Sequence, residues 1–142
     1  MGVRVRLKVT SRSGRSIETS ALVNTGFETL EPQLLLPVKA AEELGLWPNP
    51  PREASIEIYD TAGGPTKVYR IPGIAEVKVL AMDRESLSVV SDIVVSNVEF
   101  EVLISDKLAE ELMISIEKPS RGIWRFRDEV KERGSEKPTY WL

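Results

Sequence analysis

The sequence predicts a mostly β domain, a small closed or partly closed barrel with one or two short helices. Three observations support this prediction. Apolar and polar residues alternate at the N-terminus, short apolar runs recur between turns that contain glycine or proline, and only two segments have helical spacing. Alternation with a period of two is typical of half-buried strands, and many short strands with few helices indicate a barrel.

The first two predicted strands form a hairpin. Residues 3–9 alternate strictly between valine or leucine and arginine or lysine, which predicts a strand with one buried face. A turn at residues 11–15 contains Gly14, and a second strand is expected at residues 17–23. The tripeptide at residues 24–26 then interrupts this strand.

The helices and the remaining strands follow in order along the chain. A short strand at residues 34–36 precedes a helix that Pro37 opens and Gly45 ends, because proline is tolerated in a first turn and glycine favours a helix end. Ser105 is the predicted N-cap of a second helix that extends to Met113. Further strands are expected at residues 55–59, 67–71, 75–81, 87–95, 98–104, 114–117 and 123–126.

The length of 142 residues predicts one domain. We expect residues 1–126 to form a single β domain and residues 127–142 to form a charged C-terminal tail with an apolar end. Most residues from 127 to 137 are charged, which is typical of a solvated tail or a frayed helix. The apolar end, Tyr140-Trp141-Leu142, is expected to dock on the body or on a partner.

The chain contains no cysteine and no histidine. This composition excludes disulfides, thiolate nucleophiles, zinc ribbons, iron–sulfur clusters and catalytic triads that use histidine, and we expect no metal and no cofactor. The net charge of −3 argues against a nucleic-acid partner. The chain shows neither a secretory leader nor a run of about 18 apolar residues, so we expect no membrane association and a cytoplasmic location.

The most informative segment is Ala21-Leu22-Val23-Asn24-Thr25-Gly26-Phe27. An apolar strand delivers a polar side chain, then a hydroxyl group, then a glycine. A buried strand holds a polar group within narrow positional limits, and Gly26 allows the backbone to turn sharply and approach another group closely. The Thr25 hydroxyl can satisfy a neighbouring backbone group, including one across a symmetric interface.

This segment resembles the active-site signature of the retropepsin-like aspartic peptidases, in which two apolar residues precede Asp-Thr-Gly or Asp-Ser-Gly. The resemblance covers residues 3–126. Residues 34–46 are similar to the segment that follows the active-site loop in prokaryotic members, and Ala62-Gly63-Gly64 falls where the flap would be. Val102-Leu103-Ile104-Ser105 is similar to the second apolar strand, and Ile123-Trp124-Arg125-Phe126 is similar to the closing strand.

The resemblance implies an acid-protease barrel that acts as a homodimer, with one aspartate from each chain in a shared pair. In such a pair the two carboxylates share a proton, and one activates water while the other acts as an acid toward the scissile peptide carbonyl. The resemblance also implies that position 24 holds the residue each chain contributes to this pair (the dyad position), supported by Thr25 and Gly26. Ala62, Gly63 and Gly64 would form the substrate-covering flap, and Leu103, Ile104 and Ser105 the supporting strand.

Two positions depart from the family pattern. Asn24 stands where the family has aspartate, and an amide can neither act as a base nor share the dyad proton. The chain as written is therefore expected to be inactive as an aspartic endopeptidase. Asn24 is either the natural residue of a non-catalytic relative or an inactivating replacement of aspartate, and both explanations stay open. The second departure is Ser105, where the family usually has glycine.

Alternatives remain open for the carboxylate and for the function. Asp60 follows Ile58-Tyr59 and precedes a threonine and an alanine, so it is a second candidate for the catalytic carboxylate. Its place before the glycine-rich turn, rather than after the first hairpin, argues against it.

The alternative functions are a non-catalytic peptide-binding or assembly module on the same fold and a structural domain with an unrelated barrel.

Overall fold

The computed structural model describes residues 2–142, so Met1, the first residue of the predicted β domain, lies outside the described part. None of the helices formed by residues 2–142 has the length and apolarity needed to cross a membrane. The helices are α1 (Val38–Glu43), α2 (Asp106–Glu111) and a 3₁₀ turn (Pro119–Arg121). The strands are β1 (Arg4–Ser11), β2 (Ser16–Val23), β3 (Gln33–Pro37), β4 (Ser55–Thr61), β5 (Gly64–Val79), β6 (Val89–Ser96), β7 (Val102–Ile104), β8 (Ile114–Lys118) and β9 (Ile123–Phe126).

Six of these strands close into a barrel. Their hydrogen-bonded order is β1-β2-β7-β3-β6-β5, and β5 returns to pair with β1. The closing contact is antiparallel and joins residues 7–11 of β1 to residues 75–79 of β5. β4 continues the sheet beyond the barrel, and β8 and β9 form a separate hairpin. The mostly β barrel with two short α-helices that the sequence predicts is confirmed, and the barrel is closed.

β5 takes part in both the barrel and the hairpin that projects from it. The sequence predicts two strands here, at residues 67–71 and 75–81, whereas the structure has one strand with a change of register between Ile71 and Ala75. Gly73 lies within this bulge with φ of +55°, a left-handed conformation that costs glycine little. The bulge therefore lets the first half of β5 pair with β4 while the second half closes the barrel.

The barrel interior is filled by the residues at alternate positions of each strand. In β1, Val5, Leu7 and Val9 are buried, whereas the side chains between them lie on the outer face. Burying a large apolar side chain contributes about 1.5–3 kcal/mol, so this alternation supplies much of the stability. The core also receives apolar residues from the helices and from β9, namely Ala40, Ala41, Leu44, Leu108, Leu112, Trp124 and Phe126.

The charged C-terminal segment lies against the barrel. Asp83, in the turn after β5, accepts hydrogen bonds from Lys131 at 2.8 Å and from Arg133 at 3.0 Å, and these cations hold the pKa of Asp83 below its usual range. Arg84 pairs with Asp128 at 2.7 Å. These ion pairs attach the segment to the turn between β5 and β6.

The apolar end of the chain docks on the body. The Trp141 indole N–H donates to the hydroxyl of Thr19, at 3.1 Å, and the Trp141 backbone N–H donates to the Phe100 carbonyl, at 2.7 Å. The strand expected at residues 98–104 is shorter in the structure, because Val98 and Phe100 lie in an exposed loop before β7. The last residues therefore run beside this loop.

We expect the substitution Ile104→Ala to destabilise the fold much more than Ile56→Ala. Ile104 is fully buried in β7, and truncating such a side chain costs about 2–5 kcal/mol, whereas Ile56 on β4 is 64% exposed and should change the free energy of unfolding by about 0.5 kcal/mol or less. Chemical denaturation measures both values. Equal losses in the two variants would contradict a role for β7 in the core.

Candidate functional site

Asn24 follows β2 at the point where three strands meet. β7 lies between β2, to which it is parallel, and β3, to which it is antiparallel. The Asn24 backbone N–H donates to the carbonyl of Ile104, the last residue of β7, at 3.0 Å. The barrel therefore holds the backbone up to Asn24 itself, whose side chain is half-buried.

The Asn24 side chain organises the turn that follows it. Its Oδ1 accepts the backbone N–H of Gly26 at 3.0 Å, and the backbone carbonyl of Asn24 accepts the N–H of Phe27 at 3.0 Å. A Cβ on residue 26 would lie 3.3 Å from Asn24 Oδ1, so glycine lets the turn close on the amide without crowding. Thr25 is exposed, and its hydroxyl makes no hydrogen bond to another residue in the described part of the chain.

Ser105 joins the start of β3 to the start of α2. It is fully buried, and its Oγ accepts the N–H of Leu108 and the N–H of Gln33, both at 3.2 Å. The first of these bonds caps α2, which confirms the predicted N-cap. The second ties α2 to the start of β3. A glycine at this position would leave both buried N–H groups without that acceptor, so the hydroxyl has a structural role.

Asp106, the first residue of α2, holds the second half of the loop. Its N–H donates to the carbonyl of Phe27 at 2.9 Å, and its carboxylate accepts the N–H of Thr29 at 3.0 Å. Asp106 directly follows Ser105, whose hydroxyl bonds to Gln33 at the end of the loop. The two residues therefore connect the middle and the end of the loop to one helix. The loop after Asn24 is therefore anchored at both ends.

The hairpin of β4 and β5 lies opposite this loop. The Thr61 hydroxyl donates to the Gly64 carbonyl at 2.7 Å and accepts the Gly63 N–H at 3.2 Å, which closes the turn around Ala62. Gly64 has φ of +105°, a conformation that favours glycine. The hairpin turn that the sequence predicts at these residues is present.

A cavity of about 340 Å³ separates the loop from the hairpin. Its floor is the outer face of the barrel, where Leu35, Val68 and Leu103 point away from the core and belong to a second apolar cluster. Phe27 from the loop and Tyr59 from β4 pack against this cluster and form the walls. The site therefore combines an apolar floor with a polar residue, Asn24, at one end.

The structure brings together only some of the site residues predicted from the sequence. The predicted residues that line the cavity are Asn24, Gly26, Ala62 and Leu103. Those that do not line it are Thr25, Gly63, Gly64, Ile104 and Ser105. Asp60, the alternative carboxylate, also lines the cavity and is exposed. Among residues 2–142, no group of three or more acidic side chains is placed to hold a metal ion.

Sequence reasoning missed the aromatic walls. The rings of Phe27 and Tyr59 are 6.2 Å apart, the Tyr59 hydroxyl donates to Gln33 Oε1 at 2.8 Å, and burial raises the pKa of Tyr59. The sequence does indicate the orientation of Leu35, because the middle residue of a leucine triplet in a strand faces the opposite side from its two neighbours. No local pattern indicates that Phe27 meets a strand so far along the chain.

No protein-family model matches this chain, and no curated protein matches it either. The functional inference therefore depends on the geometry of the cavity and on the sequence pattern around Asn24.

We expect Ser105→Ala to lower the free energy of unfolding by about 1–2 kcal/mol, because it removes an N-cap acceptor and a second buried hydrogen bond. Ser88→Ala is the matched control, since Ser88 is exposed and should change stability by about 0.5 kcal/mol or less. Thermal or chemical unfolding measures both variants. An unchanged stability of Ser105→Ala would contradict the supporting role of the hydroxyl.

Proposed function

We propose that this chain is a retropepsin-like homologue of aspartic endopeptidases that acts as a homodimer and binds an extended peptide between the Asn24 loop and the β4–β5 hairpin. One observation carries the proposal. The polar residue at the end of a buried barrel strand and the tip of a glycine-containing hairpin line the same cavity, which has an apolar floor. With Asn24 in place, the site holds a peptide without hydrolysing it. We expect the protein to be located in the cytoplasm.

The hydrogen bonds of Asn24 support the view that its site is built for a carboxylate. Asn24 Oδ1 accepts the Gly26 N–H, and the amide nitrogen has no partner in the described part of the chain. An aspartate would keep the bond to Gly26 through one oxygen and place its second oxygen where the amide nitrogen lies. The change from asparagine to aspartate therefore adds a base without altering the backbone.

Exposed apolar residues beside the cavity support the homodimer. Val98, Phe100, Tyr140 and Leu142 are between 54% and 81% exposed, and Val98 lines the cavity itself. The hydrogen bond from Trp141 to the Phe100 carbonyl brings the chain end beside the loop that carries the first two. An apolar patch of this kind is typical of an interaction surface. In the proposed two-fold dimer, it packs against the same patch of the second copy.

A non-catalytic peptide-binding module on the same fold is the competing function. The two functions share the cavity and differ only in whether a carboxylate at position 24 confers hydrolysis. Asp60 lines the cavity from β4, so it stays the second candidate for a catalytic carboxylate. If Asp60 is the base, the unmodified protein cleaves peptides and Asp60→Asn abolishes the cleavage.

We expect Asn24→Asp to cleave peptides at acidic to neutral pH, because each chain of the dimer then supplies one carboxylate of the pair. A mixed peptide library analysed by mass spectrometry detects the cleavage, and a hydroxyl-containing transition-state analogue should inhibit it. The unmodified protein should release at least about a thousandfold less product, since general base catalysis is lost.

Two control variants accompany this assay. Asn49→Asp makes the same chemical change at an exposed position outside the cavity and should stay inactive. Asp60→Asn, combined with Asn24→Asp, should retain cleavage. Absence of cleavage and of inhibitor binding in Asn24→Asp would refute the peptidase relationship.

We expect the dimer of the Asn24→Asp variant to weaken as pH rises. Two carboxylates at short distance cannot both ionise, so the pKa of one is raised in the dimer above its value in the monomer. The stabilisation is then present below the monomer pKa and is lost as pH rises through the dimer pKa. Sedimentation should show the dissociation constant rising about tenfold from acidic to neutral pH, the equivalent of one pKa unit.

The unmodified protein is the control for this measurement. Two amides exchange N–H···O bonds at any pH, so its dissociation constant should change by about twofold or less. The same pH dependence in both proteins would show that the residues at position 24 do not meet across the interface.

A further inference from the structure

A second, larger groove of about 670 Å³ lies on the other side of Phe27 and Tyr59. Residues 26–31 of the loop border it on one side, and residues 57–60 of β4 border it on the other. Side chains of a strand alternate between two faces, so four consecutive residues border one groove only when it runs along the strand edge. β4 is the last strand of its sheet, and within residues 2–142 this edge has no paired strand.

The groove carries an excess of negative charge. Glu28, Glu31, Glu57 and Asp60 border it, and Arg70 is its cation. Arg70 is already paired, because its guanidinium lies 2.9 Å from Asp92 and 3.5 Å from Glu57. Glu28, Glu31 and Asp60 form no ion pair with any residue in the described part of the chain. Three carboxylates are therefore available to a ligand.

Apolar side chains accompany these carboxylates. Leu30 is 94% exposed and Ile58 is 65% exposed, and both border the groove, with Phe27 and Tyr59 half-buried at its inner end. Lysine and arginine carry a long apolar stem below the charged group, and such stems pack on apolar surface while the charge stays in water. The combination of exposed leucine or isoleucine with free carboxylates fits this kind of side chain.

We propose that the groove binds an extended peptide segment rich in lysine or arginine, which pairs with the free edge of β4 and places its cationic side chains against Glu28, Glu31 and Asp60. This mode adds a strand to an exposed sheet edge, where the backbone supplies affinity and the side chains supply specificity. The groove and the cavity share Phe27, Tyr59 and Asp60 as lining residues, so one extended peptide can occupy both. The inference therefore rests on the proposed peptide-binding function and names its substrate class as basic peptides.

Charges on or beside an edge strand also have a protective role, since they discourage pairing between copies of the same protein. If protection is their only role, removing them promotes self-association and leaves peptide binding unchanged. The two roles therefore give opposite results in a binding assay.

The test uses the full, unmodified chain and a fluorescently labelled peptide that alternates valine with lysine, compared with the same peptide carrying glutamate in place of lysine. At low ionic strength, fluorescence anisotropy should show the lysine peptide binding at least about tenfold more tightly. The double substitution Glu28→Gln, Glu31→Gln should weaken this binding about fivefold, as expected for two exposed charge pairs.

The matched control is the double substitution Glu43→Gln, Glu76→Gln, which removes the same charge from exposed positions outside the groove and should change the affinity by about twofold or less. A lysine peptide with methylated backbone nitrogens tests the strand pairing and should lose most of its affinity. Equal binding of the lysine and glutamate peptides, equal weakening in both double variants, or full binding of the methylated peptide would overturn the proposal.

The binding assay is independent of the Asn24→Asp cleavage assay, because it is performed on the protein with Asn24. A failure of Asn24→Asp to cleave peptides would leave a positive binding result intact. Conversely, a cleaving Asn24→Asp variant that treats lysine and glutamate peptides equally would overturn the charge preference and leave the peptidase relationship standing.

Discussion

The three residues of β7 hold the barrel and the candidate site together. β7 bonds to β2 on one side and to β3 on the other, so it joins the first hairpin to the rest of the sheet. Without it, the pairing of β1 with β5 would be the one remaining strand pairing between these parts of the barrel among residues 2–142. The carbonyl of Ile104 at the end of β7 also accepts the Asn24 N–H. Barrel closure and placement of Asn24 therefore depend on the same short strand.

The alternation of side chains lets these strands build two separate apolar regions. Inward residues such as Leu34 and Ile104 form the barrel core, while outward residues such as Leu35 and Leu103 form the floor of the cavity. The cavity therefore lies on the outside of a rigid barrel and needs only a loop and a hairpin to complete it. Ser105 bonds both to the start of α2 and to Gln33 at the end of the loop, so the loop that supplies the polar residue is tied to the barrel.

The acidic residues differ in whether they have cationic partners. In the C-terminal segment and the turn that it contacts, arginine and lysine pair with the carboxylates, and Arg84 and Arg133 hold the pKa values of Asp128 and Glu129 below their usual range. In the groove beside the free edge of β4, the carboxylates of Glu28 and Asp60 have no such partner in the described chain. The small net charge of −3 therefore conceals a locally negative surface beside the cavity.

The sequence by itself determined most of the strands, the hairpin turns, the Ser105 cap and the position of Asn24 after an apolar strand, because these depend on period-two alternation and on local hydrogen bonding. Only the tertiary structure decided how the strands pair, including the parallel contact of β2 with β7 and the single bulged strand through Gly73. It also decided that Phe27 meets Tyr59. A local pattern shows which face of an element is buried, whereas the partner of that face depends on contacts between residues far apart in the chain.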